Sequence, residues 1–550
     1  MTRVCISLQD WQQWLEQGHN QLPYIMEIPL ESQLLPDSWE SLWTEQYPHS
    51  FLLENGKNGR YTYLGLQPVS ILSGQDDQAE VQNYTTTAAH AGPPIQPVSV
   101  TAQNGRPLEV LRQWMSAHRA PRMADLPPFT GGCVGFLSYD VARSLEKLPN
   151  RLQNDLDLPD YVWMQFNQVW VIDHHTNMLY CCTHTGIDEE QSAQQPSNSQ
   201  DTDTSAPEWI RQAYHQAAHQ TDRMLEQWNA LQQVSTMEQP HSLQHRQHFL
   251  MNHPLSATDS RADHDQFTTE FQQPQFEQAV RAVQDYIRQG DVFQVNLSLR
   301  SQRQISTAPE SIYEWLRVTN PSPYMGLLRL PGFQLVSASP ELLVSVIGDD
   351  VAARPIAGTR RRGMTEQEDL AMEAELTDNE KERAEHIMLV DLQRNDLGRI
   401  ARYGTVRVPE LMTIERYSHV MHLVSGVEAK LAEDRDVYDV IAAVFPGGTI
   451  TGAPKIRTME IIEELEQTRR GAYTGSMGWI DYNGNMELNI IIRTLTIKEN
   501  TVYMQAGAGV VIDSDPYREY RECFNKSRAL ARAVLLSEQY DAALQKREEY

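Results

Sequence analysis

The stretch FPGGTITGAPK, Phe445 to Lys455, sets glycines, threonines and a lysine just ahead of a helix-like run. Glycines before a helix leave backbone N–H groups bare, and those groups with the helix dipole attract anions. Lys455 adds a full positive charge and Thr449 a hydroxyl. Ala453 and Pro454 separate Gly452 from Lys455, so the phosphate-loop pattern fails and a nucleoside triphosphate is not indicated. A carboxylate would satisfy such a loop. A plain glycine-rich connection with a surface lysine is the other reading of the same residues.

Two carboxylate pairs come next. Glu382 and Glu385 are spaced i, i+3 on one expected helix, and Glu519 and Glu522 on another, so each pair shares a helical face. Brought together they offer hard oxygen ligands of the kind Mg²⁺ accepts beside water and a substrate oxygen. Apart, they are solvated glutamates on an acidic protein. Glu341 follows Pro340 among strand-forming residues, where partial burial would raise its pKa and suit it to donate a proton; an ordinary strand-edge acid is the alternative. Arg493 sits in the apolar run LNIIIRTL, where a buried guanidinium calls for a carboxylate from protein or ligand. His419 and His422 lie beside apolar residues, the usual setting of a satisfied core histidine. The glycines of AGAGV, Ala506 to Val510, allow close backbone approach to a ligand.

The elements that must position these groups read as follows. From Phe267 onward the pattern is regular: a helix stopped by Gly290, then a strand through GDVFQVNLSLR. Short strands run through FQLVSASPELLVSVIGDDVAARPIAG. A helix follows, capped by Asp378 or Asn379 and ended by Gly404, and another spans APKIRTMEIIEELEQTRRG. A meander of three strands, turning at NGN and KEN, leads into a closing helix. Strands in hairpin groups with helices between them imply an α+β fold with largely antiparallel sheets. Residues 1–187 form an N-terminal region of short strands, with a tight, buried backbone approach at TGGCVGFLSYD. Residues 188–265 are a Gln- and His-rich insertion or linker. It reads as a loop over EEQSAQQPSNSQDTDTSAPE, an amphipathic helix after Pro207, and a loose stretch from Met237 to Asp265. Residues 266–540 form a third unit.

Composition narrows the class. A net charge of −27 over 550 residues argues against nucleic acid as the main partner. Five cysteines without a CxxC argue for a reducing compartment, the cytoplasm. No signal-peptide pattern and no long apolar run are read, so no membrane association is expected.

Taken together, PIAGTRRRG, KERAEHIMLVDLQRNDLGRI, YSHVMHLVSG, PGGTITGAPK, IIIRTL and QAGAGVVIDSDPYREYRECFNK resemble the chorismate-utilising enzymes. The likeness is dense from Phe267 to about Leu536 and thinner over FLLENGKNGRYTYLGL and GGCVGFLSYD. It implies antiparallel sheets packed as a sandwich with surrounding helices. It implies Mg²⁺ bridged by Glu385 and Glu522, with Glu382 and Glu519 acting through water. Glu341 would be the acid that protonates the departing hydroxyl. Thr359 and His422 would line the ring, beside Ala357 and Gly358. Thr449 and Lys455 would lie at the active site. Tyr473, Arg493 and the backbone from Gly507 to Gly509 would hold the enolpyruvyl carboxylate. Glu54, Asn55, Pro321, Tyr324 and Met325 fall on the family's tryptophan site, although Asn55 replaces a serine of the anthranilate-forming branch. Asn296, PGGTITGAPK and MELNIIIRT resemble the branch that makes 4-amino-4-deoxychorismate from chorismate and ammonia, with a glutamine amidotransferase subunit as ammonia donor. Ala357 resembles the anthranilate branch, because the other branch often carries a lysine there. A non-catalytic chorismate- or tryptophan-binding subunit is the reading of a different class.

Overall fold

The computed structural model describes residues 2–30, 38–43, 46–56, 59–84, 96–187, 206–234, 242–252, 264–363, 365–416 and 420–548. Two large sheets dominate, and their strands pair antiparallel, as the hairpin grouping predicts. One sheet runs from Gln21–Pro29 through Met178–Gly186, Gln168–Asp173, Tyr61–Gly65 and Ser50–Glu54. It continues into Tyr324–Leu330, Phe333–Ser339, Thr494–Lys498, Thr501–Val510 and Gln294–Gln304. The other begins with Ile356–Arg361, Val420–Lys430, Asp350–Ala353, Leu342–Ile347, Met486–Ile490 and Ser476–Asp481. It passes into Gly132–Leu137, Tyr161–Phe166 and Ser70–Gln75. Both sheets therefore contain strands from the first 187 residues and from the last 285.

Alternating apolar side chains on the facing surfaces form a core between the sheets. Phe136 of one sheet meets Phe333 of the other edge to face at 5.6 Å, and Tyr63 lies 5.9 Å from Trp479. The glycine cluster at 131–135 makes the close approach its sequence suggests. A Cβ on Gly132 would lie 2.2 Å from the Ile480 carbonyl oxygen, and one on Gly135 2.0 Å from that of Val162. Helices cover the outer faces. Gln273–Gln289 has a proline in its first turn and stops at Gly290 with φ +82°. Asn379 caps Glu380–Gly398 by accepting from the Glu382 N–H at 3.0 Å. That helix ends at Gly398; Gly404, φ +76°, serves a turn farther on.

Three local expectations are corrected. The expected three-strand meander is two hairpins in different sheets: Ser476–Asp481 with Met486–Ile490, and Thr494–Lys498 with Thr501–Val510. Arg493, read as lying inside a strand, sits at the crossing between them with φ +47°. The stretch read as loose after Met237 contains the helix Leu243–Asn252. Its Arg246 is fully buried and ion-paired with Glu40, so polar composition disguised a packed element. The helix after Pro207 spans Glu208–Val234 and buries Ile210, Ala217, Met224 and Trp228. The Trp170 indole N–H donates to the Met224 carbonyl at 3.1 Å, which docks this helix on the sheet. Residues 188–205, read as a loop, and His419 lie outside the described residues. Among the described residues no helix is long and apolar enough to cross a membrane.

Candidate active site

The chain crosses between the sheets at Pro340–Glu341, after Phe333–Ser339, and again at Ile491–Arg493, before Thr494–Lys498. The two crossings are bound to each other. The Ile490 N–H donates to the Glu341 carbonyl, and the Ala338 N–H to the Arg493 carbonyl, each at 3.0 Å. An acid and a cation distant in sequence are thereby fixed side by side at the mouth between the sheets.

A cavity of about 220 Å³ opens there. Its wall includes Gln294, Asn296, Glu341, Ala357, Gly358, Glu385, His422, Thr449, Tyr473, Arg493, Gln505, Gly507, Gly509 and Lys526. Glu341 is 7% exposed, and burial pushes its carboxyl up to about 7. The Thr449 hydroxyl, donating to Oε1 at 2.8 Å, and the charges of Arg493 and Lys526 pull the other way. A carboxyl that carries its proton near neutrality can act as a general acid. Burial, and after it the Arg493 charge, lowers His422 to about 4, so this imidazole is neutral at pH 7. Arg493 is lowered by burial and supported by Glu341 and Glu522. Gly507 and Gly509 hold the wall open. A Cβ on Gly507 would meet Asn296 Oδ1 at 2.2 Å and the Tyr473 hydroxyl at 2.9 Å; one on Gly509 would meet Gln294 Nε2 at 2.4 Å.

The glycines of the opening stretch serve a different end from the anion loop considered above. A Cβ on Gly448 would lie 1.9 Å from Leu392, and one on Gly452, φ +127°, 2.1 Å from the Gln294 carbonyl oxygen. They let the loop press against protein. Lys455 donates to Asp396 at 2.7 Å and to the Val444 carbonyl at 3.1 Å, and it does not line the cavity. Its charge answers a protein carboxylate and ties the loop to the Glu380–Gly398 helix. Thr449 and Ile450 are the loop residues that reach the cavity.

The expected metal glutamates are placed unequally. Glu385 lines the cavity and accepts from Gln294 Nε2 at 3.0 Å. Glu522 is near enough to Arg493 to act on it electrostatically. Glu382 is ion-paired with Arg360 at 3.1 Å. Among the described residues no three His, Cys, Asp or Glu side chains converge to cage an ion. Glu385 in the cavity wall and Glu522 within electrostatic reach of Arg493 are oxygen donors of the kind Mg²⁺ takes beside water and a ligand oxygen. Thr359 pairs with His422 through the backbone of adjacent strands.

The segments expected at a tryptophan site are adjacent, with Glu54 paired directly to Met325 across neighbouring strands, but their side chains are divided between protein partners and a second cavity. Glu54 accepts from the Trp39 indole at 3.1 Å and from Tyr313, and pairs with Arg317 at 3.1 Å. Met325 is core, 1% exposed. Asn55 and Tyr324 line a second cavity of about 470 Å³ with Arg354, Glu415 and Arg416; it shares Pro340 and Ile356 with the first. Pro321 lines neither cavity.

Sequence reasoning assigned no role to Gln294, Gln505 or Lys526. Two signals were available. Gln294 and Asn296 are spaced i, i+2 on one strand and share a face. Lys526 follows Glu522 by one helical turn, and its ammonium donates to the Gly507 carbonyl at 3.0 Å.

A family model of chorismate binding enzymes matches residues 49–532, and the chain belongs to that family. It is a chorismate-utilising enzyme of α+β fold. The aminodeoxychorismate synthase component 1 of Bacillus subtilis is 43% identical over 513 residues, covering 93% of this chain and 97% of that protein. The anthranilate synthase component 1 of Mycolicibacterium smegmatis is 39% identical, with 94% and 91% covered. Among solved structures, anthranilate synthase component I of Streptococcus pneumoniae superposes with a TM-score of 0.67 at 30% identity, covering 92% of this chain and 99% of that one. The menaquinone-specific isochorismate synthase of Escherichia coli, at 16% identity and TM-score 0.59 with 96% and 98% covered, shares the fold.

Proposed function

We propose that this chain is the chorismate-aminating component of an aminodeoxychorismate synthase. It would convert chorismate and ammonia to 4-amino-4-deoxychorismate and water, in the formation of 4-aminobenzoate for folate. A glutamine amidotransferase subunit would supply the ammonia, and the five free thiols fit a reducing compartment, the cytoplasm. The observation that carries the choice of product is Asn296. It stands in the cavity wall opposite Gly507 with its buried Oδ1 unpartnered, as an acceptor that a bound substrate or incoming ammonia can use. The 43% relative bearing this activity over nearly its whole length supports the same reading.

In this reading Glu341 delivers its proton to the C4 hydroxyl as water leaves, with Thr449 holding the carboxyl in line. Arg493, Tyr473 and the Gly507–Gly509 backbone receive the enolpyruvyl carboxylate. His422 packs against the ring as a neutral imidazole. Mg²⁺, when bound, would draw electron density from the ring carboxylate; Glu385 and Glu522 would hold it, with Glu382 and Glu519 acting through water. Ala357 offers no amine to attack the ring, so in this reading no covalent enzyme intermediate forms there and ammonia itself attacks. Ala357 also favours the second reading, an anthranilate-forming enzyme.

The test is to mix the purified chain with chorismate, Mg²⁺ and ammonium at alkaline pH, with and without aminodeoxychorismate lyase, and separate the products. 4-Aminobenzoate is expected only when the lyase is present. Anthranilate formed without it would overturn the assignment in favour of the second reading.

A further inference from the structure

An enclosed ion pair lies just outside the lining residues of the cavity. Arg470 is 3% exposed and Glu466 5%. Arg470 donates from Nε and Nη2 to the Glu466 carboxylate at 3.0 and 2.7 Å. Nη2 also reaches the Asn296 carbonyl at 2.7 Å. Nη1 reaches the Ile450 carbonyl at 2.9 Å and the Thr474 hydroxyl at 3.3 Å. A guanidinium has five N–H donors, and each is used here. Its plane also lies near the Tyr473 ring, 5.6 Å from the centroid. Glu466 in turn accepts from the Ser298 N–H at 2.9 Å and hydroxyl at 2.7 Å, and Ser298 Oγ accepts from Gln505 Nε2 at 2.9 Å.

Asn296, Ile450, Tyr473 and Gln505 all line the cavity, and they come from four separate segments of the chain. A single ion pair joins them. Stability alone is a weak reason for such a pair, because desolvation cancels much of the attraction and apolar residues of similar volume often do as well. Geometry is the stronger reason. A rigid planar fork directs its donors to set positions, which a lysine, with three donors on one atom, cannot reproduce.

We infer that Arg470, clamped by Glu466, is a positioning residue of the chorismate site, fixing Asn296, the Thr449–Ile450 turn, Tyr473 and Gln505 in one arrangement. It touches no reacting atom. It acts by holding the groups that do, and displacement of such groups by about 1 Å is enough to cost on the order of 100-fold in rate. The inference rests on the cavity being where chorismate reacts.

Two variants test it: Arg470→Lys, which keeps the charge, and the double variant Arg470→Met/Glu466→Leu, which replaces the pair with apolar side chains. Chorismate consumption with ammonium and Mg²⁺ gives kcat and KM, and thermal unfolding is followed in parallel. Both variants are expected to melt near the wild type while kcat falls by at least ~10-fold, and lysine is expected not to rescue it. A folded variant that keeps kcat within about twofold of wild type overturns the inference. Loss of the fold in both variants assigns the pair to stability and overturns it too. The readout is chorismate loss. A wild-type chain that made anthranilate would sink the product assignment above and leave this comparison intact.

Discussion

Replacing Glu341 by Gln should make the protein more stable and nearly inactive, and both effects follow from one number. Burial holds the carboxyl at about 7 against an ordinary 4.5. The folded state thus resists ionising this group by roughly 2.5 pH units, or about 3 kcal/mol at 1.36 kcal/mol per unit. The sign is fixed by the direction of the shift. Below pH 4.5 the carboxyl is protonated in folded and unfolded chains alike, and the wild type bears no penalty. As pH rises from 4.5 to 7 the unfolded chain ionises while the folded one does not, so the wild type loses stability. Above 7 the penalty is complete. Glu341→Gln removes it, so the variant should melt a few degrees higher at pH 8 and at the same temperature as the wild type at pH 4. Its turnover should fall by about 10²–10⁴, the usual contribution of a general acid. The wild-type kcat/KM, with the rate expressed per free ammonia, should decline about tenfold per pH unit above pH 7, and the variant should lose that limb. Differential scanning calorimetry at the two pH values and a pH-rate profile make the measurement. A variant that melts lower at pH 8, or one that keeps turnover within threefold, would refute the assignment of Glu341 as a buried acid.

Other changes probe the rest of the wall. Arg493→Lys should raise KM for chorismate about 10- to 100-fold with a smaller loss of kcat, because a charged hydrogen-bonding fork is worth roughly 1.5–3 kcal/mol; steady-state kinetics read it. Glu385→Gln should shift the Mg²⁺ concentration for half-maximal rate upward by at least about tenfold, since ligand charge sets affinity at an oxygen site; unchanged Mg²⁺ dependence would remove Glu385 from the metal's ligands. Gly507→Ala places a methyl where Asn296 Oδ1 and the Tyr473 hydroxyl now stand. The crowding should cost the fold about 1–3 kcal/mol and lower the melting temperature, and displacement of Asn296 and Tyr473 should lower kcat/KM on the order of 100-fold. Millimolar L-tryptophan should leave the rate unchanged, because Glu54 is committed to Trp39, Tyr313 and Arg317; inhibition would contradict that.

Residue type was the informative signal for several site groups, and residue environment was the hidden part. An acid after a proline and an arginine among isoleucines stand out in the sequence, and Glu341 and Arg493 do line the cavity. That both occupy crossings between sheets was not legible. Nothing in IIIRTL announces a left-handed backbone at Arg493, and the strand periodicity continues through it. Lys455 shows the opposite failure. Its glycine-rich setting suggested an anionic ligand, but its partner Asp396 lies on a distant helix, and sequence distance concealed the pairing. The glycines around it looked ligand-facing, yet Gly448 and Gly452 accommodate Leu392 and the Gln294 carbonyl. The helix Gln273–Gln289 and the strand after it were legible because an apolar period and the stop at Gly290 mark them, and Glu380–Gly398 because Asn379 caps it. Leu243–Asn252 was not, because its buried anchor is an arginine, which pattern reading assigns to solvent.

Because early and late strands are interleaved in both sheets, the order of synthesis matters. Gly132–Leu137 pairs along one edge with Ser476–Asp481, and Ser50–Glu54 with Tyr324–Leu330. At ~5–20 residues per second, roughly 20 to 70 seconds pass on the ribosome between the appearance of the first strand and its late partner. Throughout that time the nascent chain carries open strand edges with apolar faces, the features that recruit other chains. Chaperone supply during translation should therefore govern the yield of this protein, and an N-terminal fragment expressed alone should collect in aggregates.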